Sequence, residues 1–327
     1  MKEQKKISTR QIIIFYLIYT FAIKFVMLPH LLSLDSGSNG WISAIIGSVI
    51  ELLVLFAVVS YLKGEEDIYA DLRKKTTVVG AKIILFILFT FFMLQAVLTL
   101  THTQDVLGST IYENFEELLL VIPMLLLAIY FCYAPTRSVF RSGELFFVLI
   151  IVGLGLALLP AIDKVNFNEL NMRGDILRGV LNNLIFFEGA LILLMFRGDI
   201  KIEKHFTKKF MSWAVVGAVV FVAFVAIYYT IFGPLFIYKP LGVIDIAGQN
   251  SYISQNGRLD WIIVCIWFVL LVIRFGMLFF AAFASMRYVS HVRFQPAIIV
   301  FPLAIVIYVL FATDFVDLLP VWLGGGR

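Results

Sequence analysis

Charge is scarce in this chain of 327 residues: only 15% are Asp, Glu, Lys or Arg, while 61% are hydrophobic. A soluble chain carries about 25% charged residues, so a soluble globular domain is excluded. Cysteine is nearly absent. Cys132 and Cys265 both fall inside apolar runs, which gives neither a disulfide framework nor metal-ligand spacing, and they read as small buried hydrophobes. Histidine is limited to four copies, with His30 and His102 near span ends and His205 and His291 in loops. The signatures of zinc hydrolases, serine hydrolases and P-loop enzymes are missing. No catalytic residue, metal or cofactor is therefore implied, and an enzyme is not expected.

What the chain has in quantity is long apolar runs and phenylalanine, 32 copies of it. Stretches of about 17–25 mainly apolar residues are long enough to cross a bilayer. They fall near 11–33, 41–62, 81–102, 118–134, 144–162, 178–196, 210–233, 260–286 and 294–313. The basic start, MKEQKKISTR, resembles a secretory leader, but the apolar run behind it is too long and no small-residue cleavage site follows, so it reads as the first span. Phe315 to Leu323, near the end, is too short to span. With the N-terminus inside, 18 of the 26 Lys and Arg lie on inside segments, six on outside segments, and Lys24 and Arg274 in the membrane. That asymmetry predicts a cytoplasmic N-terminus in a multi-pass cell-membrane protein. The net charge of +4 reflects this orientation and gives no sign of nucleic acid. Trp41, Trp261 and Trp267 are placed towards the outer ends of their spans, as an aromatic belt requires.

Three connections are long enough to add something. Lys63 to Gly80 mixes acids, bases and apolar residues and suits a short surface helix. Asp163 to Asp175 precedes the sixth span. Pro234 to Leu259, semi-apolar, precedes the eighth and either covers an external vestibule or simply connects.

Four ionisable residues lie deep in the spans: Lys24, Glu51, Glu188 and Arg274. Such residues are costly in hydrocarbon and pair, line a wet cavity or bind something. Glu188 is near the middle of the sixth span, followed by Gly189 and preceded by Asn182 and Asn183. A glycine beside a buried acid permits a local break that frees backbone groups. The carboxylate would bind a substrate amine, carry a proton, or serve as a structural acid paired to a cation. Arg274 stays charged and must face a partner or water. It suits a substrate carboxylate or a counter-ion role towards Glu188 or Glu51. Lys24 would snorkel outward, stand in for a bound metal ion, or pair with Glu51, which would satisfy both.

The segments ISTRQIIIFYLIYTF from Ile7, Leu28–Pro29, GWISAIIGSVI at Gly40–Ile50, FFEG at Phe186–Gly189 and the apolar run from Gly257 to Phe283 resemble the spore germination B-subunit family. The resemblance implies an all-α, inverted-repeat fold related to amino-acid, polyamine and organocation permeases. One transmembrane domain over 1–327 would then hold a five-helix repeat at 11–162 and an incomplete second repeat at 178–327, nine to ten helices with the last reduced or missing. In that fold the first and sixth helices are broken at mid-membrane and hold the substrate, with the third and eighth beside them. Lys24, Glu188 with Gly189, and Arg274 fall on the first, sixth and eighth spans, so they become the expected ligand site, with Glu51, Asn182 and Asn183 as structural or ion-pair candidates. The first span departs from the pattern in having no glycine between Gln11 and Asp35. The implied function is a nutrient-sensing subunit of a germinant receptor in the spore inner membrane, working with other receptor subunits and binding a small polar nutrient such as an amino acid. Two other readings stand beside it: a proton- or cation-coupled transporter of amino acids or organic cations, and a membrane scaffold whose buried charges pair internally.

Overall fold

The computed structural model describes residues 6–64, 66–110, 117–170, 174–249 and 260–290. Among them the fold is all-α, with one isolated backbone bridge between Ile7 and Ile200. Six stretches are long and apolar enough to cross a membrane. The first, Thr9–Tyr61, carries two of the expected spans and each of the other five carries one. The expected span at 118–134 is a shorter apolar helix, and the one at 294–313 lies outside the described residues, as does the chain end. This is a multi-pass membrane protein.

The chain divides into two compact units, one formed by Met1–Asp71 with Thr136–Arg274, the other by Leu72–Pro135 with Phe275–Arg327. The division follows packing, whereas the two expected repeats are a matter of chain order, so neither description bears on the other.

The first unit is built around α1 (Thr9–Ser36). Its start is set by a capping box: Gln11 N–H donates to Ser8 Oγ at 3.3 Å, and Ser8 N–H donates to Gln11 Oε1 at 3.1 Å. It stops at Gly37, whose φ of 53° a side chain would resist. Burial extends around the whole of α1, as expected of a helix enclosed by others. Those neighbours are α2 (Gly40–Tyr61), α6 (Thr136–Leu158), α7 (Ile176–Leu184), α8 (Glu188–Leu193), α9 (Phe206–Phe232) and α10 (Gly242–Gly248). Phenylalanine supplies much of the packing. Phe15 stacks on Phe140 at 4.3 Å, and Phe196 meets both edge-on at 5.3 and 4.7 Å. Pro29 sits inside α1 and has no N–H for the Phe25 carbonyl one turn earlier.

The sixth span is interrupted. Helix α7 gives way to a 3₁₀ turn at Ile185–Phe187, then α8, then a second 3₁₀ turn at Leu194–Phe196. Tightening of this kind in mid-helix changes which carbonyls are bonded. The break falls just before Glu188. Gly189 lies within α8, where an added Cβ would come within 2.8 Å of Thr20 Oγ1. Its smallness lets the sixth span approach α1 closely.

The loop helix expected between Lys63 and Gly80 is α3 (Ile68–Lys75), with Asp71 in its first turn and Arg73, Lys74 and Lys75 in its last, which matches the helix dipole. The second unit holds α4 (Val78–Thr110), α5 (Glu117–Tyr133) and the C-terminal part of α11 (Asp260–Ser290), whose N-terminal part belongs to the first unit. Within the second unit Gly276 lies against the Phe131 ring. Thr99 and Thr103 turn their hydroxyls back onto their own helix, bonding the carbonyls of Gln95 and Thr99 at 2.8 and 2.6 Å.

Candidate functional site

All four deep charges belong to the first unit, and each lies near the middle of its helix or span. They resolve into two ion pairs. Arg274 Nη2 donates to Glu188 Oε1, both side chains being 1% exposed. Lys24 Nζ donates to Glu51 Oε2, with exposures of 2% and 8%. Of the roles open to Arg274, the counter-ion of Glu188 is the one observed. Lys24 does not snorkel: it is buried on Glu51, with the rings of Phe221 and Phe187 at 5.5 and 5.9 Å.

The arginine pair reaches into α1. Arg274 Nη1 donates to the Tyr19 carbonyl at 2.9 Å, and the guanidinium lies 4.3 Å from the centre of the Tyr19 ring. One cation thus ties the sixth span, the eighth span and the backbone of the first. Among the described residues Glu188 Oε2 receives no hydrogen bond, and Tyr19 Oη is likewise without one. An unbonded carboxylate oxygen in so dry a place is costly. The second pair is better satisfied, because Tyr16 Oη donates to Glu51 Oε1 at 3.1 Å. Tyr16 and Lys24 are two helical repeats of four apart, so both lie on the face of α1 that meets α2.

Asn182 and Asn183 separate in role. Asn182 Nδ2 donates to Asp35 Oδ2 at the end of α1. Around it Asn39 Nδ2 donates to the Gly174 carbonyl at 2.7 Å and Ser43 Oγ to the Ile176 carbonyl at 3.0 Å. These bonds fasten the α1–α2 turn to the start of the sixth span. Asn183 is fully buried and packs on Gly47 of α2, and among the described residues neither its amide nitrogen nor its amide oxygen has a partner.

Beyond the seventh span the chain does not stand clear of the bundle. Helix α10 is packed down, with Val243 and Ile246 fully buried. Gly242, at φ 40°, lies where a Cβ would be 2.2 Å from the Phe25 carbonyl. That is the carbonyl to which Pro29 has no N–H to offer, and the absence of a side chain at Gly242 permits the approach. The turn is held by Tyr228 Oη, which donates to the Phe236 and Lys239 carbonyls at 2.9 and 2.6 Å, and by Leu241 N–H, which donates to Asp245 Oδ2 at 2.6 Å. Burial raises the Asp245 carboxyl above its ordinary value, against the Leu241 N–H and Lys239, which lower it. Residues 250–259 lie outside the described residues.

At the opposite end Arg197 is 7% exposed and pairs with Asp71 at 2.8 Å, its guanidinium 4.0 Å from the Tyr61 ring centre. Tyr61 Oη donates to the same carboxylate. By its place in the sequence, between the sixth and seventh spans, Arg197 is a loop charge. It is a buried one, because Gly64 and Gly198 let the chain close over it. Two further expectations need correction. Trp267 is fully buried rather than interfacial, since Gly153 makes room for its ring. Neither cysteine is fully buried: Cys132 is half-buried and Cys265 is exposed.

Tyr16 and Tyr19 were not singled out from the sequence, although the spacing of Tyr16, Thr20 and Lys24 along one face of α1 was a usable signal. Tyr19 offered none, because its hydrogen bond with Arg274 is made through a backbone carbonyl. Among the described residues no group of His, Cys, Asp and Glu is arranged to hold a metal ion.

No curated protein matches this chain. A model of the family described as spore germination protein matches residues 6–316.

Proposed function

Because the chain belongs to the spore germination protein family, we propose that this permease-like membrane protein is a nutrient-sensing subunit of a germinant receptor and takes a small zwitterion, an amino acid, at the Glu188–Arg274 pair. The pair is a buried carboxylate joined to a buried guanidinium. An amino acid carries the same two charges: its carboxylate replaces Glu188 on Arg274, and its ammonium replaces Arg274 on Glu188. Charge stays balanced throughout the exchange, which is what a low-dielectric site demands. The observation that carries this reading is Glu188 Oε2, a buried acceptor with no donor among the described residues. A ligand ammonium would satisfy it.

The exchange would also move structure. Arg274 holds the Tyr19 carbonyl of α1, and the 3₁₀ turn at Ile185–Phe187 lies next to Glu188. A ligand between the two charges would alter the spacing of the first, sixth and eighth spans, and that change is the signal passed to partner subunits.

A second reading has its own support. Since both pairs are closed within the chain, they serve equally well as internal braces of a scaffold. Reversing the pair separates the two. The double variant Glu188→Arg with Arg274→Glu keeps a pair but reverses its direction. We expect the protein to accumulate in spores while germination in response to amino acids is lost. Germination restored by the reversal would overturn ligand binding in favour of bracing. Concentrative amino-acid uptake by the wild-type protein in proteoliposomes would make it a transporter instead.

A further inference from the structure

The first unit contains two cavities at the end where α1 and α9 begin, of about 780 and 730 Å³. Each has a charged mouth and an apolar floor. In the larger one the mouth is formed by Arg10, Lys208 and Lys209, and the floor, one to two turns further along the same helices, by Ile14, Leu17 and Trp213. The smaller cavity shares Lys208 and continues along Leu53 and Phe56. Trp213, Leu53 and Phe56 are 51%, 66% and 53% exposed, so these floors open sideways from the bundle. At that depth the surroundings of a spanning helix are acyl chains, and acyl chains must therefore fill the floors. Which headgroup sits above them is decided by the mouth.

Two of the cations there already have partners. Arg10 Nε is 3.3 Å from Glu144, and Lys209 Nζ is 3.2 Å from Glu203, which also lines both cavities. Lys63 lines the smaller mouth and Lys208 lines both; each is exposed and has no ion-pair partner among the described residues, and Lys208 is the one common to the two. A zwitterionic headgroup would bring its own cation against this lysine. An anionic one brings only the phosphate.

We propose that these two grooves are binding sites for an anionic phospholipid, with Lys208 between them as the residue that selects the headgroup. The chain would in this way be sensitive to the acidic-lipid content of the leaflet it faces. Each basic side chain near an anionic lipid surface strengthens attraction roughly fivefold. The proposal depends on membrane insertion alone and stands whether or not a nutrient binds at Glu188.

The test is native mass spectrometry of the full chain in detergent with equimolar phosphatidylglycerol and phosphatidylcholine of identical acyl chains. Phosphatidylglycerol adducts are expected to survive activation that strips phosphatidylcholine. Lys208→Gln should reduce their retention roughly fivefold and Lys208→Glu further. Both variants alter an exposed side chain, and an unchanged melting temperature without lipid would confirm that they fold. A melting temperature raised by phosphatidylglycerol in the wild type and not in Lys208→Glu would give the same answer in solution. Equal retention of the two lipids, or retention unaffected in Lys208→Glu, would overturn the proposal. Glycerol 1-phosphate binding as well as the lipid would also overturn it, by making the site one for a soluble anion.

Discussion

At Glu51, removing one charge and removing both have different consequences. Glu51→Gln leaves Lys24 buried without a counter-ion and deprives Tyr16 of a charged acceptor. Breaking a buried pair by deleting one partner costs about 3–5 kcal/mol. We therefore expect Glu51→Gln to lower the thermal midpoint of the purified protein sharply. The double variant Lys24→Met with Glu51→Leu should recover much of the loss, since apolar residues of similar size often replace a buried pair at little cost. A double variant as unstable as the single one would show that the charges have work beyond pairing. Arg274 is not exchangeable with lysine. Its planar fork serves Glu188 and the Tyr19 carbonyl together, and a single ammonium lacks that geometry. Arg274→Lys is expected to fold at reduced stability and to lose the amino-acid response, measured as germination alongside protein level.

On the scale of the element, α10 is the segment whose position depends most on local chemistry. Gly242→Val would place a branched side chain at φ 40° and against the Phe25 carbonyl. The backbone strain alone is worth about 1–3 kcal/mol, and the steric conflict with α1 adds to it. Proteolysis between the seventh and eighth spans in intact vesicles should become faster in this variant. Asp245 makes α10 sensitive to pH. Burial raises its carboxyl in the folded state, so the folded protein holds a proton more readily than the unfolded chain does. This contribution accordingly favours folding at acid pH and is lost as pH rises through the raised value. Asp245→Asn keeps an acceptor for the Leu241 N–H and removes the charge. It is expected to match or exceed the wild type in thermal stability at neutral pH and to flatten the pH dependence, as a melting series on the acid side of neutrality would show. The interruption of the sixth span belongs to this scale as well. A weak point near Glu188 was legible from Gly189, but its form was not. The chain tightens at Ile185–Phe187, ahead of the glycine, and Gly189 is spent on a close approach to α1.

For the whole molecule the main expectation is orientation. A cysteine at Lys204, in the basic stretch before α9, should react with an impermeant maleimide only when the cytoplasmic face is open to it. The comparison is to be made in a background lacking Cys132 and Cys265, because Cys265 is exposed. Labelling from the outside would reverse the whole topology. The all-α class, the approximate placing of most spans and the identity of the four deep charges were present in the sequence itself, because hydrocarbon enforces long apolar runs and tolerates few ionisable residues within them. Other features were settled only by folding. That Glu188 takes Arg274 and Lys24 takes Glu51 depends on which helix faces meet, and a single chain does not state this. The Tyr19 carbonyl became a partner through its position on α1, something no side-chain pattern encodes. Arg197 was buried by glycines that let the chain close over it, and Trp267 by the space at Gly153. Composition and periodicity are properties of the chain taken alone and could be read from it directly. Pairing and burial are properties of which surfaces come together, and they exist only once the helices have packed.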